Sequence, residues 1–212
     1  MSDEEVNSRN CDKLERWLLK PCAHLCIDMQ LMFALDTDWN TPWMSRVLPF
    51  VSILASHAPT HTIFTKFMPP ADASKASGAW QSYFERWSQF TQNVIDPQLL
   101  ELVPELAHLV PPAQVLCKPR YSPFKGTALL ADLHERGIKT LIISGAETDV
   151  CVLAAVIDAV DAGFWVVLPE DALCSSADST HDALMELYRT RFSQQILLTD
   201  VESIVREWKP TQ

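Results

Sequence analysis

The chain has 212 residues, of which 48% are hydrophobic and 21% are charged, a balance typical of one globular domain with a sizeable core. Its net charge of −10 argues against nucleic acid or an anionic membrane surface as a partner. The acidic first residues lack the apolar segment of a signal peptide, and no apolar run approaches the ~18 residues of a membrane span. The six cysteines form no CxxC pair and favour reduced thiols, so we expect a cytoplasmic protein.

The first part of the chain predicts a leading helix followed by two strands. Residues 1–23 are interpreted as a polar tail and that leading helix. Apolar runs predict strands at 24–28 and 60–65. Between them, residues 29–40 are interpreted as a loop, and Pro42 is well placed as the first residue of a helix that continues to about His57.

Residues 66–113 form an irregular insertion that carries much of the aromatic content. Within it, Trp80, Tyr83, Phe84 and Trp87 recur at the spacing of one helical face. Such a stripe more often packs in a core or at a subunit interface than against a substrate. If one of the four lines a pocket, Trp80 is the candidate.

The second half of the chain alternates strands and helices regularly. Strands are predicted at 114–117, 139–144, 164–168 and 195–198, and helices at 127–136, 148–162, 179–191 and 200–208. Alternation of this kind predicts a parallel sheet that is covered by helices on both faces. Residues 24–212 are therefore expected to form one three-layer α/β/α domain.

Three polar residues follow the carboxyl ends of predicted strands: Asp28, Lys118 and Cys151. Taken alone, each has an ordinary explanation, as a turn residue, a surface charge and a buried core thiol. In a parallel sheet, however, these strand ends share one edge, where α/β proteins bind ligands. There a thiol at a helix start can be a nucleophile, a lysine can lower its pKa, and a carboxylate can take its proton.

Several segments carry these residues in a distinctive pattern, and they occur in the same order as the motifs of a known family. They read D-x-Q-x-x-F at 28–33, K-x-x-x-S-x-F at 118–124, G-x-x-T-x-x-C-V at 145–152, D-A-x-x-x-G-F-x-V at 158–166, and Asp171-Ala172 with His181. Together they resemble the isochorismatase-like cysteine hydrolases, a family that includes nicotinamidases, N-carbamoylsarcosine amidases and isochorismatases. The resemblance runs from about Asp28 to Leu198.

The resemblance implies a fold, a mechanism and an assembly. The implied fold is a Rossmann-like, six-stranded parallel sheet in the order 3-2-1-4-5-6, and the implied assembly is a homodimer or homotetramer. Asp28 would be the base, Lys118 the thiolate stabiliser and Cys151 the nucleophile. A cis peptide between Ala146 and Glu147 would turn the Glu147 N–H toward the oxyanion hole, together with the Cys151 N–H. No cofactor is implied.

Two features depart from the nicotinamidase pattern. Residues 66–80 contain no histidine, so we expect no metal site and consider nicotinamide a poor first guess for the substrate. Position 147 is acidic. If the Glu147 side chain faces the pocket, it could select a cationic or amino-bearing substrate, and if it points away, its role is structural.

The predicted function is hydrolysis of a C–N bond in a small amide, carbamoyl or ureido compound, through a thioester on Cys151. The candidates for substrate contact are Gln30, Phe33, Trp80 and Phe124. Two alternatives remain open at this point. One is an isochorismatase-type hydrolase of a vinyl ether, which does not need the thiol. The other is a non-catalytic domain that keeps the fold and binds a partner or metabolite.

Overall fold

The computed structural model describes the backbone of residues 3–210 and the side chains of residues 11–210. The strands are β1 (Cys22–Ile27), β2 (Thr62–Phe67), β3 (Gln114–Lys118), β4 (Thr140–Ala146), β5 (Trp165–Pro169), β6 (Leu173–Cys174) and β7 (Ile196–Thr199). All of their pairings are parallel, in the order β3-β2-β1-β4-β5-β7. The predicted order is confirmed, and the two-residue β6, which pairs with β4, is an addition.

Nine α-helices lie in the described part of the chain. They are α1 (Asp3–Leu18), α2 (Leu31–Ala34), α3 (Met44–His57), α4 (Ala79–Arg86), α5 (Pro104–Ala107), α6 (Leu129–Glu135), α7 (Leu153–Asp161), α8 (Asp178–Arg191) and α9 (Val201–Glu207). One apolar core gathers buried residues of α1, α3 and α9, and a second gathers those of α6, α7 and α8. Both cores include strand residues, so the predicted three-layer α/β/α architecture is confirmed.

The central strands β1 and β4 are buried along their whole length. Their sequences, CAHLCI and TLIISGA, are almost continuously apolar, as expected for strands with helices on both faces. Gly145 lets the two strands approach closely, because a Cβ at this position would lie 2.2 Å from the carbonyl oxygen of Ile27. This contact lies at the carboxyl end of β4, immediately before the segment that carries Cys151.

The helix predicted over 148–162 is divided in the structure. Thr148–Val152 forms a π-helical turn, and the α-helix proper, α7, begins at Leu153. Such one-turn π segments are rare and recur at functional sites. Two further predictions differ locally: α3 begins at Met44 rather than at Pro42, and residues 31–34, predicted as loop, form the short α2.

Candidate active site

Three polar side chains meet at the carboxyl edge of the sheet. Asp28 follows β1, Lys118 ends β3, and Cys151 lies in the π turn after β4. The Nζ atom of Lys118 is 2.6 Å from Oδ2 of Asp28 and 3.4 Å from Sγ of Cys151. The structure therefore brings together a carboxylate, an ammonium and a thiol that are far apart in the sequence.

The Asp28 carboxylate is oriented by Thr65 on the neighbouring strand β2. The Thr65 hydroxyl accepts a hydrogen bond from the Asp28 N–H at 3.1 Å and donates one to Oδ1 at 2.6 Å. Asp28 has a φ of 49°, a backbone conformation that non-glycine residues rarely adopt. The other oxygen, Oδ2, lies 2.6 Å from the Lys118 ammonium. The two carboxylate oxygens therefore have different partners, a hydroxyl on β2 and a cation on β3.

The Lys118 side chain is fully buried, with 0% of its surface exposed. Its ammonium donates to the carbonyl oxygen of Arg120 at 3.1 Å and lies 5.1 Å from the ring centre of Phe67. Burial lowers the pKa of Lys118, but the negative charges of Asp28 and Cys151 raise it, and the net pKa lies above the ordinary value. The lysine is therefore a permanent cation in the site.

The pKa of the Cys151 thiol is raised above its ordinary value of 9.0. Burial is the main cause, and Asp28 adds to it, while Lys118 acts in the opposite direction. The sequence predicted a lowered thiol pKa, and the structure corrects this. A thiolate beside the existing Asp28–Lys118 pair would leave an unbalanced negative charge in a buried site. Burial therefore favours a neutral Cys151 thiol in the free protein.

A cavity of about 130 Å³ opens in front of Cys151. Aromatic side chains form much of its wall, and Ala146, Glu147, Val150 and Cys151 contribute a second side. The aromatic residues are Phe33, Trp39, Phe67, Tyr83 and Tyr121. Cys151 borders this cavity, whereas the buried residues Asp28 and Lys118 do not contribute to its wall.

A family model described as the isochorismatase domain matches residues 22–200. The chain belongs to the isochorismatase family. The matched range begins at β1 and ends after β7, so it contains the whole sheet and all three residues of the candidate site.

Two curated relatives match parts of this isochorismatase-family chain. The uncharacterized isochorismatase family protein PncA of Bacillus subtilis (strain 168) is 35% identical over 79 residues, 37% of this chain and 43% of that protein. The ureidoacrylate amidohydrolase RutB of Enterobacter sp. (strain 638) is 38% identical over 109 residues, 51% of this chain and 40% of that protein. The matched segments thus span less than half of either relative.

Solved structures show the same fold over nearly the whole chain. The crystal structure of an isochorismatase family protein from Desulfovibrio vulgaris subsp. vulgaris str. Hildenborough superposes with a TM-score of 0.74 at 25% identity. The superposition covers 87% of this chain and 96% of that chain.

Of the four residues predicted to contact substrate, Phe33 lines the cavity, and the structure puts Gln30, Trp80 and Phe124 outside its wall. The Gln30 amide is buried and bonds to the backbone of Phe67 and Leu100, so it fixes the insertion against the sheet. Trp80 packs behind the wall on Tyr121, with ring centres 4.7 Å apart. Phe124 packs against Phe164 in the second core.

Glu147 lines the cavity, and its carboxylate lies beside another wall residue, Ser176, which favours the first of the two orientations considered from the sequence. Its Oε1 atom accepts a hydrogen bond from the Ser176 N–H at 3.1 Å and a weak one from the Thr41 hydroxyl at 3.4 Å. The peptide bond between Ala146 and Glu147 is cis. Both the side chain and the backbone of Glu147 therefore belong to the site region.

Other wall residues were not singled out by the sequence. Trp39 and Asp38 come from a segment interpreted only as loop, and Tyr121 lies inside the K-x-x-x-S-x-F segment at an unspecified position. Trp39 stacks on Phe90 with ring centres 3.8 Å apart, which fixes the plane of its ring. The one indication in the sequence for Asp38 and Trp39 was their position along the chain, because they closely follow the D-x-Q-x-x-F segment at 28–33.

Hydrogen bonds connect the turn that carries Cys151 to α8 and to residues 174–175, which precede α8. The Thr148 hydroxyl donates to the carbonyl oxygen of Cys174 at 3.1 Å and bonds to Nδ1 of His181 at 2.9 Å. The carboxylate of Asp149 accepts hydrogen bonds from the hydroxyls of Ser175 and Thr180. These contacts hold the residues just before the thiol, so the position of Cys151 depends on α8 as well as on the sheet.

Among the residues that the structure describes, no group of three or more His, Cys, Asp or Glu side chains is arranged to hold a metal ion. Within the same residues, no helix combines the length and apolarity needed to cross a membrane.

Proposed function

We propose that this isochorismatase-family chain is a cysteine-nucleophile hydrolase that cleaves a C–N bond in a small amide, carbamoyl or ureido compound. The observation that carries the proposal is the position of the Lys118 ammonium, within 2.6 Å of the Asp28 carboxylate and 3.4 Å of the Cys151 thiol. A nucleophile, a base and a fixed cation within contact distance form the minimal set for acyl transfer through a thioester.

In the first step, Cys151 Sγ attacks the carbonyl carbon while its proton passes to Asp28. This transfer leaves the net charge of the buried site unchanged, because a neutral thiol and a carboxylate become a thiolate and a carboxylic acid. Lys118 stabilises the developing thiolate by its charge. A preformed thiolate is therefore unnecessary, which agrees with the raised pKa of the thiol.

The attack converts the carbonyl oxygen into an oxyanion, for which we propose the backbone N–H groups of Glu147 and Cys151 as donors. Asp28 then returns its proton to the leaving nitrogen, the C–N bond breaks, and a thioester remains on Cys151. In the second half, Asp28 takes a proton from water while the water oxygen attacks the thioester carbon. The C–S bond then breaks, Asp28 returns the proton to Cys151 Sγ, and the carboxylic acid product leaves.

The relative RutB supports the choice of a C–N bond, because its name describes an amidohydrolase of a ureido compound. The cavity supports a small substrate, because its volume is only about 130 Å³. The presence of a cysteine at the cavity wall favours covalent catalysis over vinyl-ether hydrolysis, which does not need a thiol.

The test is ammonia release across a panel of small amides, carbamoyl amines and ureides, measured for the wild type and for C151S. We expect turnover of at least one compound by the wild type and none by C151S. If C151A and C151S retain ammonia release, the thioester mechanism is wrong. If the wild type releases no ammonia from any compound, vinyl-ether substrates become the next panel. If no compound of either panel is turned over, a non-catalytic binding domain replaces the proposal.

A further inference from the structure

The cavity in front of Cys151 is lined by two carboxylates, those of Glu147 and Asp38. No lysine, arginine or histidine of the described residues contributes to its wall. The nearby cation Lys118 is buried, does not contribute to the wall and is paired with Asp28. The space available to a substrate is therefore bordered by negative charge without a positive side chain facing it.

The two acidic residues of the wall, Glu147 and Asp38, have no ion-pair partner among the side chains of residues 11–210. Glu147 uses one oxygen for the Ser176 N–H and the Thr41 hydroxyl. Asp38, at the exposed side of the cavity, accepts only from the Gln89 amide, at 3.0 Å. Neither contact supplies a positive charge, so a cationic ligand would be the first to pair with these carboxylates.

The rest of the wall has the composition of a cation-binding cage. Trp39, Tyr83 and Tyr121 line the cavity together with Phe33 and Phe67. The faces of aromatic rings attract ammonium and guanidinium groups, most strongly in partly desolvated sites. Because Trp39 is fixed by its stacking on Phe90, its orientation does not depend on a ligand.

We propose that the substrate of this site is a small cationic amide, carbamoyl or ureido compound, whose ammonium or guanidinium group binds to Glu147 and the aromatic wall while its carbonyl group faces Cys151. This inference rests on the proposed C–N hydrolase function and specifies its substrate class. The chain's net charge of −10 favours the approach of such a cation.

If Glu147 had a purely structural role, removing its charge while keeping its hydrogen-bond acceptor would leave the substrate preference unchanged. Its contact with Ser176 needs only a hydrogen-bond acceptor, which a glutamine at this position also supplies. E147Q therefore keeps the acceptor and removes the charge. Glu105, which is exposed on α5 and lies outside the cavity wall, offers the matched control E105Q.

The experiment compares three amides of similar shape: 3-aminopropanamide, which is cationic, butanamide, its neutral isostere, and succinamate, which is anionic. Ammonia release gives kcat/KM for each. We expect the wild type and E105Q to prefer the cationic amide over the neutral one by about tenfold or more. In E147Q the ratio is expected to fall toward one, and raising the salt concentration is expected to reduce it in the wild type.

Binding of the same three amides to C151S, measured by calorimetry, separates this inference from the proposed function. Selective binding of the cationic amide that E147Q/C151S loses supports the cation site, and the absence of turnover both here and across the panel described above overturns the amidase. Turnover without preference for the cationic amide overturns the cation site and leaves the amidase standing, and binding without preference overturns the cation site whether or not turnover occurs. A preference that is unchanged in E147Q overturns the role of Glu147.

Discussion

Lys118 Nζ lies 2.6 Å from Oδ2 of Asp28, and the exposed fractions of the two side chains are 0% and 1%. A buried ion pair of this kind contributes little net stability, because desolvation offsets the attraction between the charges. The position of this pair beside the Cys151 thiol is explained better by a role in the proposed reaction than by a contribution to stability. The Lys118 ammonium lies within hydrogen-bonding distance of both the carboxylate and the thiol that the carboxylate is proposed to deprotonate.

The first prediction concerns the proposed base. D28N keeps the size of the side chain and removes its ability to take the thiol proton. We expect kcat to fall by about 10²–10⁴-fold, the range typical of general base catalysis. The measurement is ammonia release with the best substrate of the panel, with circular dichroism as the control for folding. Activity within about threefold of the wild type is incompatible with Asp28 as the base, given that range.

The second prediction concerns the stability of the buried pair. K118M leaves the Asp28 carboxylate without its cation, and we expect the free energy of unfolding to decrease by about 3–5 kcal/mol. The double variant D28N/K118M removes both charges and should recover most of this loss. Urea denaturation of the wild type, D28N, K118M and D28N/K118M provides the test. Equal destabilisation of K118M and the double variant would show that lost packing, rather than the uncompensated charge, is the cause.

The third prediction concerns the thiol. Because burial and Asp28 raise its pKa, Cys151 should titrate above 9.0 in the free protein. In D28N the pKa should decrease, since one of the causes of its elevation is removed, even though this variant loses activity. The ultraviolet absorbance of the thiolate, taken as the difference from C151S at each pH, measures both values. Titration of Cys151 below pH 7 in the wild type is the opposite result, and it would indicate a preformed thiolate.

The fourth prediction concerns His24, which is fully buried in β1. Its Nδ1 and Nε2 atoms bond to the hydroxyls of Thr62 at 3.2 Å and Ser144 at 2.8 Å. Burial lowers the pKa of His24 from 6.5 to about 3. Below pH 6.5 the unfolded chain therefore binds a proton that the folded protein excludes, and stability decreases as the pH falls.

At pH 5 this histidine should cost about 2 kcal/mol of unfolding free energy relative to pH 7. The loss continues until the pH approaches the folded pKa of about 3. H24N should show a correspondingly smaller decrease between pH 7 and pH 5, whatever its absolute stability. H108Q, which changes an exposed histidine, is the control and should behave like the wild type. The same decrease in H24N and the wild type would exclude His24 as its source.

The strand order could be anticipated only from the resemblance to the family, whereas the meeting of Asp28, Lys118 and Cys151 also has a physical reason. Each of the three residues ends or closely follows an apolar run, and parallel strands place such ends on one edge. The direction of the thiol pKa could not be anticipated, because it depends on how deeply the three groups are buried together.

The cavity wall was less predictable. Trp39 and Tyr121 lie in segments without periodicity, so their positions depend on tertiary contacts that sequence spacing does not encode. Gln30 and Phe124 lie inside recognisable motifs, yet their side chains serve the backbone and the second core. A motif therefore identified the region of each residue correctly without specifying the direction of its side chain.

Covalent catalysis by Cys151 is tested most directly by trapping the proposed thioester. The wild type is mixed with the best amide substrate, quenched in acid during turnover and examined by intact-protein and peptide mass spectrometry. We predict an added mass equal to the acyl group, located on Cys151 and absent from C151S. Steady hydrolysis without an adduct on Cys151, together with retained activity in C151S, would contradict the account.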